Sequence, residues 1–274
     1  MNLAWGLLVL FGAVAIAVAA MLFVRRSAPE GSYFSDGDRA SGVFGVLATG
    51  FAIFAGFVIF LAFTSYDQSR AGGEAEALAV FQQFETAQFL PAGVGKRLSG
   101  ELVCYGRSVV NEEWPRMEDG TSGDAINPWA FTLFRTLKTV SLDSPSEEAA
   151  YGKWLDQTSD REEARRDRLH GASGIIPASV WLVLFFVAGV VFVYMLFFAD
   201  RGERAVSQAM LMGSATAVVV ATLLAIYALD NPYQAGVGNI EPVAMERSLA
   251  ILEEARTLLG DTTAVPCDER GIAR

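Results

Sequence analysis

Four stretches of this chain, residues 3–24, 43–63, 175–198 and 210–229, contain no Asp, Glu, Lys, Arg or His. About 20 apolar residues in a helix cross a hydrocarbon core of about 30 Å, so each stretch is long enough to span a membrane. Four charge-free runs of that length do not fit the interior of a soluble domain. The composition agrees, because 52% of the residues are hydrophobic against about 45–50% for ordinary globular chains. The first run could in principle be a secretory signal. Such a peptide carries its basic residues ahead of the apolar run, whereas Arg25 and Arg26 follow it here. The expected fold is an all-α integral membrane protein with four transmembrane helices.

Little in the chain points to catalysis. Cys104 and Cys267 form no metal-spaced cluster and His170 is the single histidine, so zinc, haem and iron–sulfur sites lack a ligand set. No phosphate-binding glycine loop, dinucleotide fingerprint or nucleophile elbow is present. Glu74, Glu76, Glu112 and Glu113 offer carboxylates, but with no nucleophile or metal ligands beside them they read as acids on solvated helices. An enzyme is not expected, nor a cofactor or a nucleic-acid partner.

The runs divide the chain into a transmembrane hairpin (1–65), an aqueous segment (66–174), a second hairpin (175–229) and a tail (230–274). The aqueous segment reads as helical. Val94, Leu98, Leu102, Tyr105 and Val109 recur at three- and four-residue spacing, one apolar stripe along a helix. Leu78, Phe81, Gln82 and Phe89 suggest an earlier helix, cut off by Pro91 and Gly93. A third, over about 129–140, follows the turn at Asn127 and Pro128. A fourth opens near Ser146 with Glu147 and Glu148 in its first turn, where acids are favoured. Its end, Arg161 to Arg168, alternates in sign and reads as a solvated face carrying ion pairs between successive turns. In the tail Met245, Leu249, Leu252, Ala255 and Leu259 make another stripe. That stripe needs a partner surface, most simply the helices of the aqueous segment.

With two spans between them, the aqueous segment and the tail lie on one side of the membrane, together with the N-terminus. Trp5, Tyr66, Trp181, Tyr227 and Tyr233 fall at span ends on that side, where interfacial aromatics belong. Arg25, Arg26, Arg39, Arg201 and Arg204 on the short-loop side face Arg70, Arg161, Arg165, Arg166 and Arg168 on the other. Counted this way, the positive-inside rule does not choose an orientation. The two cysteines share a side and can pair only where it is oxidising; in a cytoplasmic orientation both stay free thiols.

The spans hold no ionisable residue, which disfavours ion-coupled transport but not a pore closed by apolar side chains. The second span interleaves Phe44, Phe51, Phe54, Phe57, Phe60 and Phe63 with Gly45, Gly50 and Gly56. Two readings stand. It is a contact face for other helices or lipid, where small residues allow close approach, or it lines a pore. For the pore, the face at helical spacing is Ile53, Phe57, Phe60 and Thr64. Gly213, Ala217 and Ala221 make a second close-approach stripe. After the fourth span, Pro232 disfavours helical geometry at Asn231. Asp230 is then the carboxylate closest to the membrane, expected to cap a neighbouring helix or pair with Arg165, Arg166 or Arg168.

Several local patterns together resemble the bestrophin-like domain family of bacterial multi-pass membrane proteins. They are Ser41-Gly42-Val43-Phe44-Gly45 leading into the second span; Tyr66-Asp67 with Arg70 and Glu76-Ala77; Leu90-Pro91; Arg168-Leu169 followed by Pro177 and Trp181; and Leu229-Asp230-Asn231-Pro232-Tyr233 with Gly236 and Pro242. The resemblance covers roughly residues 35–250. It implies four spans with a membrane-proximal helical domain between the second and third, in the bacterial inner membrane. By extension from bestrophins it implies a homo-oligomeric, pentameric, anion-conducting pore lined by the second span, with the domain in the cytoplasm. The chain's net charge of −10 departs from this, since an acidic vestibule enriches cations. An oligomeric ion channel in the lipid bilayer is therefore the leading expectation. The alternative is a non-conducting sensor or scaffold that binds a partner protein through its aqueous domain and tail.

Overall fold

The computed structural model describes residues 3–121 and 126–274. Among these residues the regular secondary structure is helical, and the only β pairing is an isolated antiparallel bridge between Cys267 and Ala273. Nine α-helices follow one another: α1 (Leu3–Arg25), α2 (Gly37–Ala87), α3 (Ala92–Ser108), α4 (Trp114–Glu118), α5 (Pro128–Leu137), α6 (Pro145–His170), α7 (Ala178–Leu196), α8 (Ala205–Asp230) and α9 (Val243–Leu258). Four of them, α1, α2, α7 and α8, are long and apolar enough to cross a membrane.

The chain divides into two compact units. One comprises Met1–Thr64, Ile175–Asp230 and Ala235–Val237, the other Ser65–Gly174, Asn231–Gln234 and Gly238–Arg274. In the first unit α1 packs on α8, with Ala17 and Met21 against Met212. Gly213 makes this possible, because a Cβ there would already lie 3.5 Å from Val14 and 3.6 Å from Val18, the close approach that small residues permit in lipid. A second cluster joins Phe51, Ala55 and Val58 of α2 to Leu184 and Val191 of α7 and Ile226 of α8.

α2 does not stop where its apolar run ends at Phe63. No proline interrupts residues 64–87, so the span and the separately expected helix around Leu78 and Phe81 are one element of 51 residues. Its buried face in the second unit is also not the expected one. Leu78 and Phe89 are exposed, while Ala77, Val80, Phe84 and Ala87 enter the core.

In the second unit the α3 stripe is buried as its spacing implied, with Leu98, Leu102, Tyr105 and Val109 inside. At Val109–Glu113 the helix widens into one π turn before α4, a register shift of the kind that re-aims side chains. α5 starts on Asn127, whose side chain accepts from Trp129 N at 3.0 Å, and ends three residues short of Val140. α6 opens on a capping box, in which Ser144 Oγ accepts from Glu147 N and Glu147 Oε2 from Ser144 N, a reciprocal satisfaction of otherwise orphaned donors. α9 lays Met245, Leu249 and Leu252 on this core, while Leu259 stays exposed beyond the helix. Gly106 faces Leu249, whose Cδ2 would sit 2.7 Å from an added Cβ.

Of the two states that the sequence leaves open for the cysteines the paired one is formed, and Tyr233 departs from its expected place. Cys104 and Cys267 form a disulfide, and among the described residues no free cysteine remains. The C-terminal segment folds back onto α3: Trp129 Nε1 donates to Gly271 O at 2.6 Å and Arg107 Nη1 to Asp268 O at 3.1 Å. Tyr233 is no interfacial anchor. It is 1% exposed, and its hydroxyl donates to Arg168 O at 2.5 Å.

Candidate pore face and a buried charge network

α2 presents two unlike faces in the first unit. Phe51, Ala55, Val58 and Ala62, spaced four, three and four residues apart, are buried within the chain. Ile53, Phe57, Phe60 and Thr64 have the same spacing, offset by two residues, which turns them to the other side of a 3.6-residue helix. Ile53 is 57% exposed, Phe57 67% and Phe60 65%. Gly56 leaves a shallow concavity between the three apolar side chains. Thr64 is exposed, and its hydroxyl donates to Phe60 O at 2.9 Å, so it adds no unsatisfied donor to the face. The whole surface is uncharged.

Asp230, at the end of α8, is expected to cap a neighbouring helix or to pair with Arg165, Arg166 or Arg168; its hydrogen bonds go to the segment that leads into α7. Its Oδ1 accepts from Ile175 N at 2.8 Å and Ile176 N at 2.9 Å, and its Oδ2 from Trp181 Nε1 at 3.3 Å. The carboxylate thus closes the entry to α7, where Pro177 cannot donate. Asn231 O accepts from Gln234 N at 3.3 Å, and Pro232 O from Ile240 N at 2.8 Å. These three residues organise a turn and contribute nothing to the α2 face.

The second unit holds a charge network that sequence reasoning assigned to solvent. On α6, Gln157, Arg161, Ala164 and Arg168 recur at four, three and four residues and are all buried. Arg168, fully enclosed, meets Glu76 through Nε–Oε2 at 2.5 Å and Nη2–Oε1 at 3.2 Å. Its Nη2 also reaches Glu113 Oε2 at 2.8 Å. Glu113 pairs as well with Arg165 at 3.2 Å and accepts from Asn127 Nδ2 at 2.8 Å. Tyr105 donates to Glu76 Oε1 at 2.5 Å. The Arg168 guanidinium lies 5.3 Å from the centre of the Trp114 ring, within range of a cation–π attraction.

The ion pairs therefore run between helices and not along one. Burial works against the charged guanidinium of Arg168, but the Glu76 and Glu113 carboxylates outweigh it and hold its pKa above the ordinary arginine value. Burial, and next the Glu76 charge, push the Tyr105 phenol well above its usual range. Glu76 and Glu113 are thus occupied by arginines. The π turn carries Glu113 into this network, and Gly72 lets α2 reach it. A Cβ at Gly72 would collide with the backbone of Arg168 and lie 2.8 Å from Ala164 O.

The chain matches the Bestrophin-like domain over residues 11–245. No curated protein sequence matches it. Its fold is similar to that of a bacterial Bestrophin homolog from Klebsiella pneumoniae, seen in two single-substitution variants. One has 14% identity, covering 89% of this chain and 98% of that one at a TM-score of 0.68. The other has 14% identity, covering 88% and 99% at 0.69. A crystal structure of a membrane protein variant, at 11% identity, covers 93% and 99% at 0.68.

Proposed function

We propose that this chain, which belongs to the bestrophin-like domain family, is the subunit of an oligomeric ion channel whose pore is lined by the Ile53, Phe57, Phe60 and Thr64 face of α2. The observation that carries the reading is the uncharged, aromatic surface that the protomer leaves uncovered opposite the buried face of the same helix. Repeated around an axis, such rings close a pore by excluding water. The bestrophin resemblance points to anions, whereas the net charge of −10 favours cations near the mouth. Flux from liposomes containing purified oligomers, followed with chloride- and potassium-sensitive dyes, tests the reading. Chloride release supports it as an anion channel; release of neither ion from verified oligomers leaves the scaffold reading.

The pore assignment makes its own prediction. Phe57→Ala and Phe60→Ala should each widen the constriction and raise leak current, while changing protomer stability by no more than about 0.5 kcal/mol, as for other exposed positions. Unchanged conductance in both variants of an active channel would remove this face from the pore. Loss of oligomers without altered conductance would instead place the rings between subunits.

The same proposal puts the second unit on the oxidising side of the membrane, opposite to the orientation that the bestrophin resemblance implies. A structural disulfide between Cys104 and Cys267 fits a periplasmic environment and not a reducing cytoplasm. The charge count supports this once restricted to short loops, because domains longer than about 60 residues cross largely regardless of charge. The aqueous segment exceeds that length, and in the tail only Arg247 lies within about 20 residues of a span end, so Arg25, Arg26, Arg39, Arg201 and Arg204 on the short loops outnumber it and mark the cytoplasmic side. Reporters inserted at Gly120 and fused after Arg274 should both read periplasmic. Two cytoplasmic signals would reverse the orientation, and a split result would break the four-span topology.

A further inference from the structure

Arg161 stands apart in the charge network. Among the described residues it makes no ion pair, while Arg168 and Arg165 both reach carboxylates. Only 1% of it is exposed. Its Nη1 donates to Gln83 Oε1 at 2.7 Å, and its guanidinium carbon lies 4.8 Å from the centre of the Tyr105 ring. Its Nε has no acceptor. A buried guanidinium without a counter-charge is costly, and a neutral amide with one aromatic face compensates it only in part.

The same side chain lines a cavity of about 320 Å3 between α5 and α6. Phe131, Phe134 and Leu155, all substantially exposed, supply apolar wall, and Arg165 lies one turn further along α6. Small-molecule sites have this character, mostly apolar with a few placed polar groups, in volumes of roughly 300–1,000 Å3. Glu162 and Arg166 also line the cavity but are exposed to solvent, whereas Arg161 is buried without an ionic partner among the described residues, and one such charge calls for a monoanion. The planar guanidinium suits a carboxylate, and the aromatic wall suits an apolar body better than a hydrated phosphate.

We propose that this cavity binds a small organic carboxylate with an aromatic or branched aliphatic body, its carboxylate held by Arg161 and its apolar part lying among Phe131, Phe134 and Leu155. The site is separate from the α2 face and does not depend on conduction. The test uses the full-length protein in detergent, titrated calorimetrically with phenylacetate and with its neutral counterpart phenylacetamide. Phenylacetate should bind saturably, and the amide at least about tenfold more weakly, the loss expected for one charge-assisted hydrogen bond. Arg161→Met should weaken phenylacetate binding by a similar factor. Leu155→Trp, which fills the cavity from its exposed side without touching the charge, should abolish binding at an unchanged melting temperature. It decides the matter should Arg161→Met not fold. Absence of saturable phenylacetate binding, equal affinity for the amide, or full affinity in Leu155→Trp would overturn the assignment.

Discussion

Arg168→Met should lower the stability of the second unit by roughly 3–5 kcal/mol, the range for breaking a buried ion pair by removing one partner. Arg168 has no exposed surface and holds two carboxylates, Glu76 at 2.5 Å and Glu113 at 2.8 Å. Without it, Glu76 keeps only the Tyr105 hydroxyl, and Glu113 keeps Arg165 and Asn127. The cost comes from stranded charge more than from a lost attraction. Adding Glu76→Gln to Arg168→Met should therefore recover part of the loss, with a coupling of about 0.5–3 kcal/mol. Arg70→Met is the control: the Arg70–Glu74 pair is 60% exposed on both sides, and such pairs contribute no more than about 1 kcal/mol. Thermal unfolding in detergent reads the wild type, Arg168→Met, Glu76→Gln, their combination and Arg70→Met. Wild-type melting for Arg168→Met would show that the network carries no stability.

Removing the disulfide should cost roughly 2–4 kcal/mol. Cys104 and Cys267 are 163 residues apart, and the simple chain-entropy account gives about 4.7 kcal/mol for a loop of 100 residues. That figure is an upper bound here, because the intervening loop includes α7 and α8, which stay in the bilayer when the aqueous unit unfolds and keep its ends near one another. What the tail keeps in Cys104→Ser includes the Trp129–Gly271, Arg107–Asp268 and Asn111–Glu269 hydrogen bonds, the Arg270–Glu112 pair and Val265 against the core. The tail should then be the first segment to open, so carboxypeptidase should trim Cys104→Ser to α9 while leaving the oxidised wild type intact. Equal melting and equal trimming with and without reductant would refute this.

The membrane helices were legible because lipid imposes a rule that the sequence states directly: no charge over about 20 residues. The end of α2 was not, since the charge-free run stops at Phe63 whereas helical continuation needs only the absence of a breaker. The stripes of α3 and α9 were legible from apolar periodicity. The polar core was hidden by that same criterion. Arg161 and Arg168 look like solvent-facing residues until α2, 78 and 92 positions away, brings Gln83 against the first and Glu76 against the second. The one local signal was their shared spacing with Gln157 and Ala164. Tyr233 was misplaced for a related reason, because proximity to a span end suggests an interface, yet its hydroxyl is committed to Arg168 O. For Asp230 the sequence left capping and arginine pairing as alternatives, and its Oδ1 accepts from the backbone of Ile175 and Ile176, donors that come close only when the ends of α7 and α8 meet. Cysteine pairing across 163 residues depends on the tail folding back, which spacing cannot show.

The central claim, that α2 lines a conducting pore through its Phe57 and Phe60 face, is tested most directly by planar-bilayer recording. Verified oligomers of the wild type are compared with Phe57→Ala under a salt gradient. Both should carry current, larger at equal protein in Phe57→Ala, with a reversal potential that reports the sign of the permeant ion. No current from either protein, or wild-type current unaltered in Phe57→Ala and Phe60→Ala alike, would contradict it.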